Sequence, residues 1–377
     1  MNITGVNIHM SSIPNLNTLR TGRRGPRLRG ARSGRPVPED DNASAESIEA
    51  GRDKIIQQTD GDASSSRMSA VALGYLDDPF ATTFLRQGEQ ISRRYPIINR
   101  GTFVRTTAID RLVWKFLATS REQKKQIVSL GAGSDTRFFR FAANHARELG
   151  EVVYHELDFE TNVNQKRAFL RQSPELEKVL RTAEKAGLSY HLNALDLRDL
   201  TNKSPPIIPH LDPELPTLLL SECCLCYLPP ETATSVLQYF TMNLKSSLGL
   251  ALYEPIRPFD AFGKTMVSNL ASRGIHLQTL KRYSSLEAQR QRLRLAGFGD
   301  GQGARDVDQL YCDEGWVAKN ERERVEKLEW LDEVEEWQLL ARHYCVAWGW
   351  RGKVLGDAWG DLEGGRTREE DRDDELG

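Results

Sequence analysis

Between residues 67 and 350, short apolar runs alternate with segments in which apolar residues recur every three or four positions. The first kind fits buried strands and the second core-facing helices, so this region reads as alternating strand and helix. Strands are expected at 127–130, 151–158, 189–196, 217–228, 249–256, 304–312 and 343–350, with helices between most of them. Val325, Leu328, Leu331, Val334, Trp337 and Leu340 recur every three residues and predict one core-facing helix ahead of the last strand. Five strands keep a strand–helix–strand rhythm and the last two do not. That order predicts an α/β fold, a seven-stranded and mostly parallel sheet with an antiparallel edge.

The ends of the chain break this pattern. Residues 1–66 are rich in Ser, Asn, Gly and Arg, with seven arginines between Arg20 and Arg35 and no acidic residue before Glu39. Such a composition buries too little apolar surface to fold, so 1–66 is expected to be a disordered tail, with a mitochondrial or nuclear address as the alternative. From Arg351 to Gly377 the chain turns acidic and glycine-rich and reads as a second loose tail. Across all 377 residues Lys+Arg number 51 and Asp+Glu 53, so no global field points to nucleic acid. No apolar run approaches the roughly eighteen residues a membrane span needs, and the N-terminus lacks the apolar core of a secretory signal. A soluble intracellular protein is expected, cytoplasmic or also nuclear, with no membrane partner. Five cysteines, three of them crowded into 223–226, fit free thiols in a reducing compartment. Cys223, Cys224 and Cys226 are read as buried structural thiols on a strand rather than metal ligands.

Chemistry first shows at "IVSLGAGSDTRFF", residues 127–139. A buried strand ends at Leu130, and Gly131 and Gly133 let the backbone turn sharply and approach a ligand before a helix begins. A dinucleotide fingerprint would want a third glycine at 136, where Thr136 stands, and no phosphate-loop lysine follows. A cofactor without phosphates, such as S-adenosylmethionine, fits better; a nucleotide and an ordinary glycine turn remain the alternatives. In an open sheet of this kind the ligand lies at the carboxyl ends of the strands. Glu156 and Asp158 close the second strand, placed to accept hydrogen bonds from ribose hydroxyls or, more plainly, to cap a turn. Asp196 closes the third, where it can meet an adenine amino group. Glu222 lies in the apolar fourth, where burial demands a cation: the ammonium of a methionine moiety or a buried arginine.

Residues 67–350 carry a series of blocks in order, among them "DDPFATTFL", "PIINRGTFVRTTAID", "HELDF", "LDLRDL", "LLSECCLCYLPPE", "YEPIRPFDAFGKTMVSNL" and "EWLDEVEEWQLLARHYCVAWGW". Together with the glycine loop they resemble the leucine carboxyl methyltransferase family. The resemblance implies a Rossmann-like methyltransferase domain over 67–350 with an N-terminal helical cap for substrate. It implies S-adenosylmethionine as cofactor, and methylation of the C-terminal leucine of the protein phosphatase 2A catalytic subunit by a monomeric enzyme; a non-catalytic phosphatase-binding protein and a methyltransferase acting on a small-molecule carboxylate are the alternatives. A transfer-RNA-modifying relative continues into kelch repeats, which have no counterpart here. Cofactor contacts are implied at Arg67, Arg105, Gly131, Asp158, Asp196, Leu197 and Glu222. Arg67 stands where the family's best-known member carries lysine, and Pro255 where the family often carries glutamine.

The implied reaction needs little from the protein. A terminal carboxylate, with a pKa of about 3.5, is already ionised at neutral pH, so no general base is required. The site must hold that carboxylate in line without quenching it. Arg105 is the implied cation, shared between cofactor and substrate. Tyr227, just past the fourth strand, is a candidate donor to the same carboxylate, or else a core tyrosine with a satisfied hydroxyl.

Overall fold

A computed structural model of the chain describes residues 45–84, 92–332 and 334–362. The strands are β1 (Lys125–Leu130), β2 (Val152–Asp158), β3 (Leu188–Ala194), β4 (Thr217–Glu222), β5 (Leu248–Pro255), β6 (Gly301–Asp306) and β7 (Tyr344–Arg351). They form one seven-stranded sheet in the order β3-β2-β1-β4-β5-β7-β6. The first five run parallel, and β7 runs antiparallel to both β5 and β6, as the rhythm of the sequence predicts. β1, β2 and β5 are buried throughout, and each carries a short apolar stretch that marks it in the sequence.

Helices cover both faces. Ahead of the sheet come α1 (Ala45–Ala72) and α2 (Pro96–Ala118). The crossovers supply α3 (Arg137–His145), α4 (Glu160–Gln172), α5 (Pro174–Lys185), α6 (Pro230–Asn243), α7 (Ala261–Ala271) and α8 (Leu286–Leu295). Toward the C-terminus lie α9 (Val307–Cys312), α10 (Lys319–Glu326), α11 (Val334–Arg342) and α12 (Lys353–Trp359). One face of the sheet packs Phe103, Ile109, Leu112 and Phe116 of α2 against Ile127, Leu218 and Trp348. The other packs Val236 and Phe240 of α6 and Leu293 of α8 against Val128, Leu219 and Leu250. Neighbouring strand residues such as Ile127 and Val128 thus serve opposite cores, as the period of two requires.

Four local readings of the sequence need correction. The tail boundary at 66 falls inside α1, which starts at Ala45; the Arg-rich stretch 20–35 lies outside the described residues. The second tail begins too early: α12 follows β7, and its fully buried Trp359 donates through Nε1 to the Leu112 carbonyl at 3.0 Å. The expected strand 304–312 stops at Asp306, whose carboxylate caps α9. It accepts from the Gln309 amide while the Gln309 side chain accepts from the Asp306 amide. That local pair outcompetes strand propensity. The expected single helix over 325–340 is two, α10 and α11. A strict period of three drifts steadily around a helix of 3.6 residues per turn, so all six apolar residues cannot share one face. The chain breaks between them, with Leu328 and Leu331 packed on the core and Trp330 and Val334 exposed.

Among the described residues no helix is long and apolar enough to cross a membrane.

Candidate functional site

The parallel strands reverse direction of succession between β1 and β4, and a cavity of about 940 Å³ opens at their carboxyl ends. That is the switch-point position where open α/β sheets bind ligands, and the volume lies in the range of small-molecule sites. Arg67, Arg105, Gly131, Asp158, Asp196, Leu197, Glu222 and Tyr227, chosen from sequence, all line this one cavity.

Its floor is the loop after β1. Gly131 and Gly133 adopt left-handed φ values of 62° and 49°. A Cβ on Gly131 would sit 2.6 Å from the Cys224 sulfur, and one on Gly133 would run into the Asp60 carboxylate. Glycine is therefore required for both conformation and space. Asp158 fixes this loop: its Oδ2 accepts from the Gly133 amide at 2.7 Å, and its Oδ1 accepts from the Phe159 amide and the Asn162 side chain. Burial raises the Asp158 carboxyl above its ordinary pKa, against these hydrogen bonds. A carboxylate carries further lone pairs, so a ribose hydroxyl can still be accepted. Glu156, the other acid of β2, is no part of the cavity; it is buried on Lys166 and Tyr190.

Asp196 begins the turn after β3 by accepting from the Arg198 amide at 2.9 Å, and pairs with the Arg198 guanidinium. Arg198 in turn reaches Asp53 and Glu49 of α1 at 2.6 and 2.8 Å. Leu197 is buried at the start of the same turn.

Glu222 settles the question its burial raised, because it has two guanidinium partners. Arg105 of α2 donates from Nε to Oε2 at 2.6 Å. Arg137, fully buried at the start of α3, approaches Oε1 at 2.8 Å, a close ion pair without hydrogen-bond alignment. Burial alone would raise the Glu222 pKa, but Arg137 and then Arg105 outweigh it, and the net shift is downward. Arg137 also binds Asp110 and Asp135 at 2.7 and 2.5 Å, and Arg140 shares Asp110. Arg67 joins this array through Asp78 at 3.2 Å. Arg105 lies over the Tyr253 ring, 4.6 Å from its centroid. Its terminal nitrogens make no hydrogen bond among the described residues. Tyr227 lies in the short turn after β4; burial first of all pushes its hydroxyl pKa well up, so it remains a donor.

Two groups of site residues escaped the sequence reading. Arg137 is one: a charged residue beginning a helix looks like a surface residue, and nothing local shows that three carboxylates converge on it. The other is on α1, where Asp60 accepts from the Ser134 amide and hydroxyl at 2.8 and 2.7 Å, closing over the glycine loop. Its polar composition concealed a helix stabilised by tertiary ion pairs. The cysteines also differ from expectation. β4 ends at Glu222, and Cys223 leaves the strand with a left-handed φ of 50°. Cys223 and Cys226 are spaced C-x-x-C, a pair the strand reading passed over. Among the described residues no cluster suits a metal ion.

The glycine floor, the acids at three strand ends and the cavity size fit a nucleoside cofactor with an amino-acid tail. Residues 55–241 match the leucine carboxyl methyltransferase family profile. A leucine carboxyl methyltransferase 1 from Aspergillus fumigatus is 49% identical, covering 94% of this chain and 98% of its own. One from Emericella nidulans is 50% identical, covering 95% and 99%. Among solved structures, a DUF574 family protein from Streptomyces avermitilis is 14% identical, covers 77% of this chain and 97% of its own, and has a TM-score of 0.45. Identity at the level of the two fungal relatives, over nearly the whole chain, places this protein in the leucine carboxyl methyltransferase family, as an enzyme dependent on S-adenosylmethionine.

Proposed function

We propose that the enzyme methylates the α-carboxylate of the C-terminal leucine of the protein phosphatase 2A catalytic subunit, giving a leucine methyl ester. The observation that carries this reading is the state of Arg105. Its Nε is fixed on Glu222, its plane rests on Tyr253, and its terminal nitrogens are left for another carboxylate. A planar fork held in this way suits a terminal carboxylate better than a phenol or an amine.

S-adenosylmethionine supplies a methyl group already activated on sulfur. In this reading Asp158 accepts from the ribose hydroxyls, Asp196 and Leu197 border the adenine, Gly131 gives close approach, and Arg67 with Glu222 frames the methionine end. Arg105 orients the substrate carboxylate and Tyr227 donates to it. The ionised carboxylate is itself the nucleophile, so these side chains move no proton. Pro255 offers no amide where the family often has one. Glu222 stays charged beneath its two arginines and thereby keeps Arg105 from turning away.

Incubation with methyl-labelled S-adenosylmethionine and purified phosphatase catalytic subunit tests the proposal. Label should enter the phosphatase and be released by mild base, and a tail ending in leucine amide should take none. Label on the amide tail, or label stable to base, would refute it.

A further inference from the structure

The reactive groups that methyl transfer leaves unused are the thiols just beyond β4. Cys223 lines the cavity beside Arg105 and is partly exposed, whereas Cys226 is buried beneath it. They stand three residues apart around the short turn Leu225–Tyr227. The backbone around them is clamped: the Cys223 amide donates to the Tyr253 carbonyl at 2.8 Å, and the Cys226 carbonyl accepts from the Gln278 amide at 2.8 Å. A C-x-x-C pair bent around one tight turn, with one member open to a cofactor cavity, differs from an isolated buried thiol.

We infer that Cys223 and Cys226 form a reversible disulfide on exposure to a hydroperoxide, and that this bond shuts the methyl-transfer site. The division of labour follows from their surroundings. Neighbouring Cys226 and then Arg105 draw the Cys223 thiol below its ordinary pKa against the effect of burial. Burial pushes Cys226 well up, and Cys224 up as well. Cys223, the member open to the cavity, is thus the sulfur that attacks and Cys226 the buried one that resolves. The Cys223 sulfur attacks one oxygen of the hydroperoxide; the O–O bond breaks, an alcohol or water leaves, and a sulfenic acid remains. The Cys226 sulfur then attacks that sulfur, the S–O bond breaks, and the thiol proton leaves with the hydroxyl as water. Two thiols are oxidised by two electrons and one peroxide is reduced.

The cross-link acts on the site through its neighbours. Glu222 directly precedes Cys223 and holds Arg105, while Tyr227 directly follows Cys226. Drawing the two sulfurs into covalent contact pulls the turn between these groups. The backbone clamps on both sides prevent the strain from dissipating elsewhere.

The test uses the full chain and hydrogen peroxide, followed by proteolytic mapping and a rate measurement. The expected map is a Cys223–Cys226 disulfide, with methyl transfer at least tenfold slower and restored by dithiothreitol. Cys223→Ala should keep its own untreated rate after the same exposure. Cys226→Ala should lose activity and, after prolonged exposure, regain none with dithiothreitol, because an unresolved sulfenic acid oxidises further. A disulfide through Cys224, no disulfide at all, or a Cys223→Ala enzyme as sensitive as the parent would overturn the inference. The map requires no methyl acceptor, so it stands or falls separately from the identity of the substrate.

Discussion

The rim of the cavity and the layer just beneath it each contain a buried carboxylate facing a cation, yet the two are handled differently. At the rim, Glu222 meets two guanidinium groups and its pKa is drawn down despite burial. Beneath it, Glu156 is completely buried with one ammonium, Lys166, at 2.5 Å and the Tyr190 hydroxyl at 2.8 Å. There burial wins over Lys166, and the Glu156 carboxyl is pushed up to about 7. Position along β2 adds a third case. Glu156 and Asp158 point to the same face, but Asp158 clears the end of the strand and reaches the glycine loop. Glu222 at the rim is thus held charged by two guanidinium groups, whereas burial raises Asp158 despite its three donors and lets the acid one layer down surrender its charge. Function requires the first condition, because a neutral Glu222 would release Arg105.

Removing the hub of the rim should have the largest effect. Arg137→Met leaves Asp110, Asp135 and Glu222 short of their shared counter-charge, and breaking buried ion pairs typically costs about 3–5 kcal/mol. Urea unfolding at pH 7.5 should show a loss of that size. Lys166→Met should cost less, since Glu156 can take up a proton in place of its partner. Equal losses in the two variants would erase the contrast between rim and lower layer.

Ligand measurements sharpen it next. Asp158→Ala should weaken S-adenosylhomocysteine binding by about 1–3 kcal/mol, part of it through the unpinned Gly133 loop. Glu156→Gln should leave the affinity unchanged in the same calorimetric titration. Arg105→Lys keeps the charge but loses the fork, so turnover should fall at least tenfold, about 1.4 kcal/mol in the barrier, with the fold intact. A lysine variant that turns over like the parent would show that charge alone suffices.

The sequence made much of the sheet legible because several strands carry a short apolar stretch followed by an acid or a glycine, and both signals are local. The eight cavity residues were within reach for the same reason, since strand ends converge in any sheet of this order, although Arg105, Arg67 and Leu197 came only through family likeness. What escaped was non-local. α1 has few apolar residues and is held by pairs such as Asp53 with Arg198 and Asp60 with Ser134, whose partners lie far along the chain. Arg137 is indistinguishable from a surface arginine until α2, β4 and its own loop are assembled around it. The capping box at Asp306 and Gln309 was local but was masked by the strand-like residues "VDQLYC".

The smallest effect expected is a change in the slope of stability against pH, and it tests the lower layer alone. A free glutamate titrates near 4.5, and Glu156 in the folded protein near 7. Below both values the group is protonated in folded and unfolded chains alike; above both it is charged in each. Between them the folded chain holds a proton that the unfolded chain has lost, so stability must fall as pH rises through this window. His155, pushed down to about 4 mainly by burial, acts in the opposite direction between there and 6.5. Asp306, raised to about 6, acts in the same direction as Glu156. Both remain in a Glu156→Gln variant and cancel on subtraction. The stability of the variant minus that of the parent should therefore rise between pH 5 and 7, by on the order of 1 kcal/mol. Urea midpoints at pH 5, 6, 7 and 8 give that difference directly. A flat difference would mean that Lys166 keeps Glu156 ionised throughout, and that the two layers treat their acids alike.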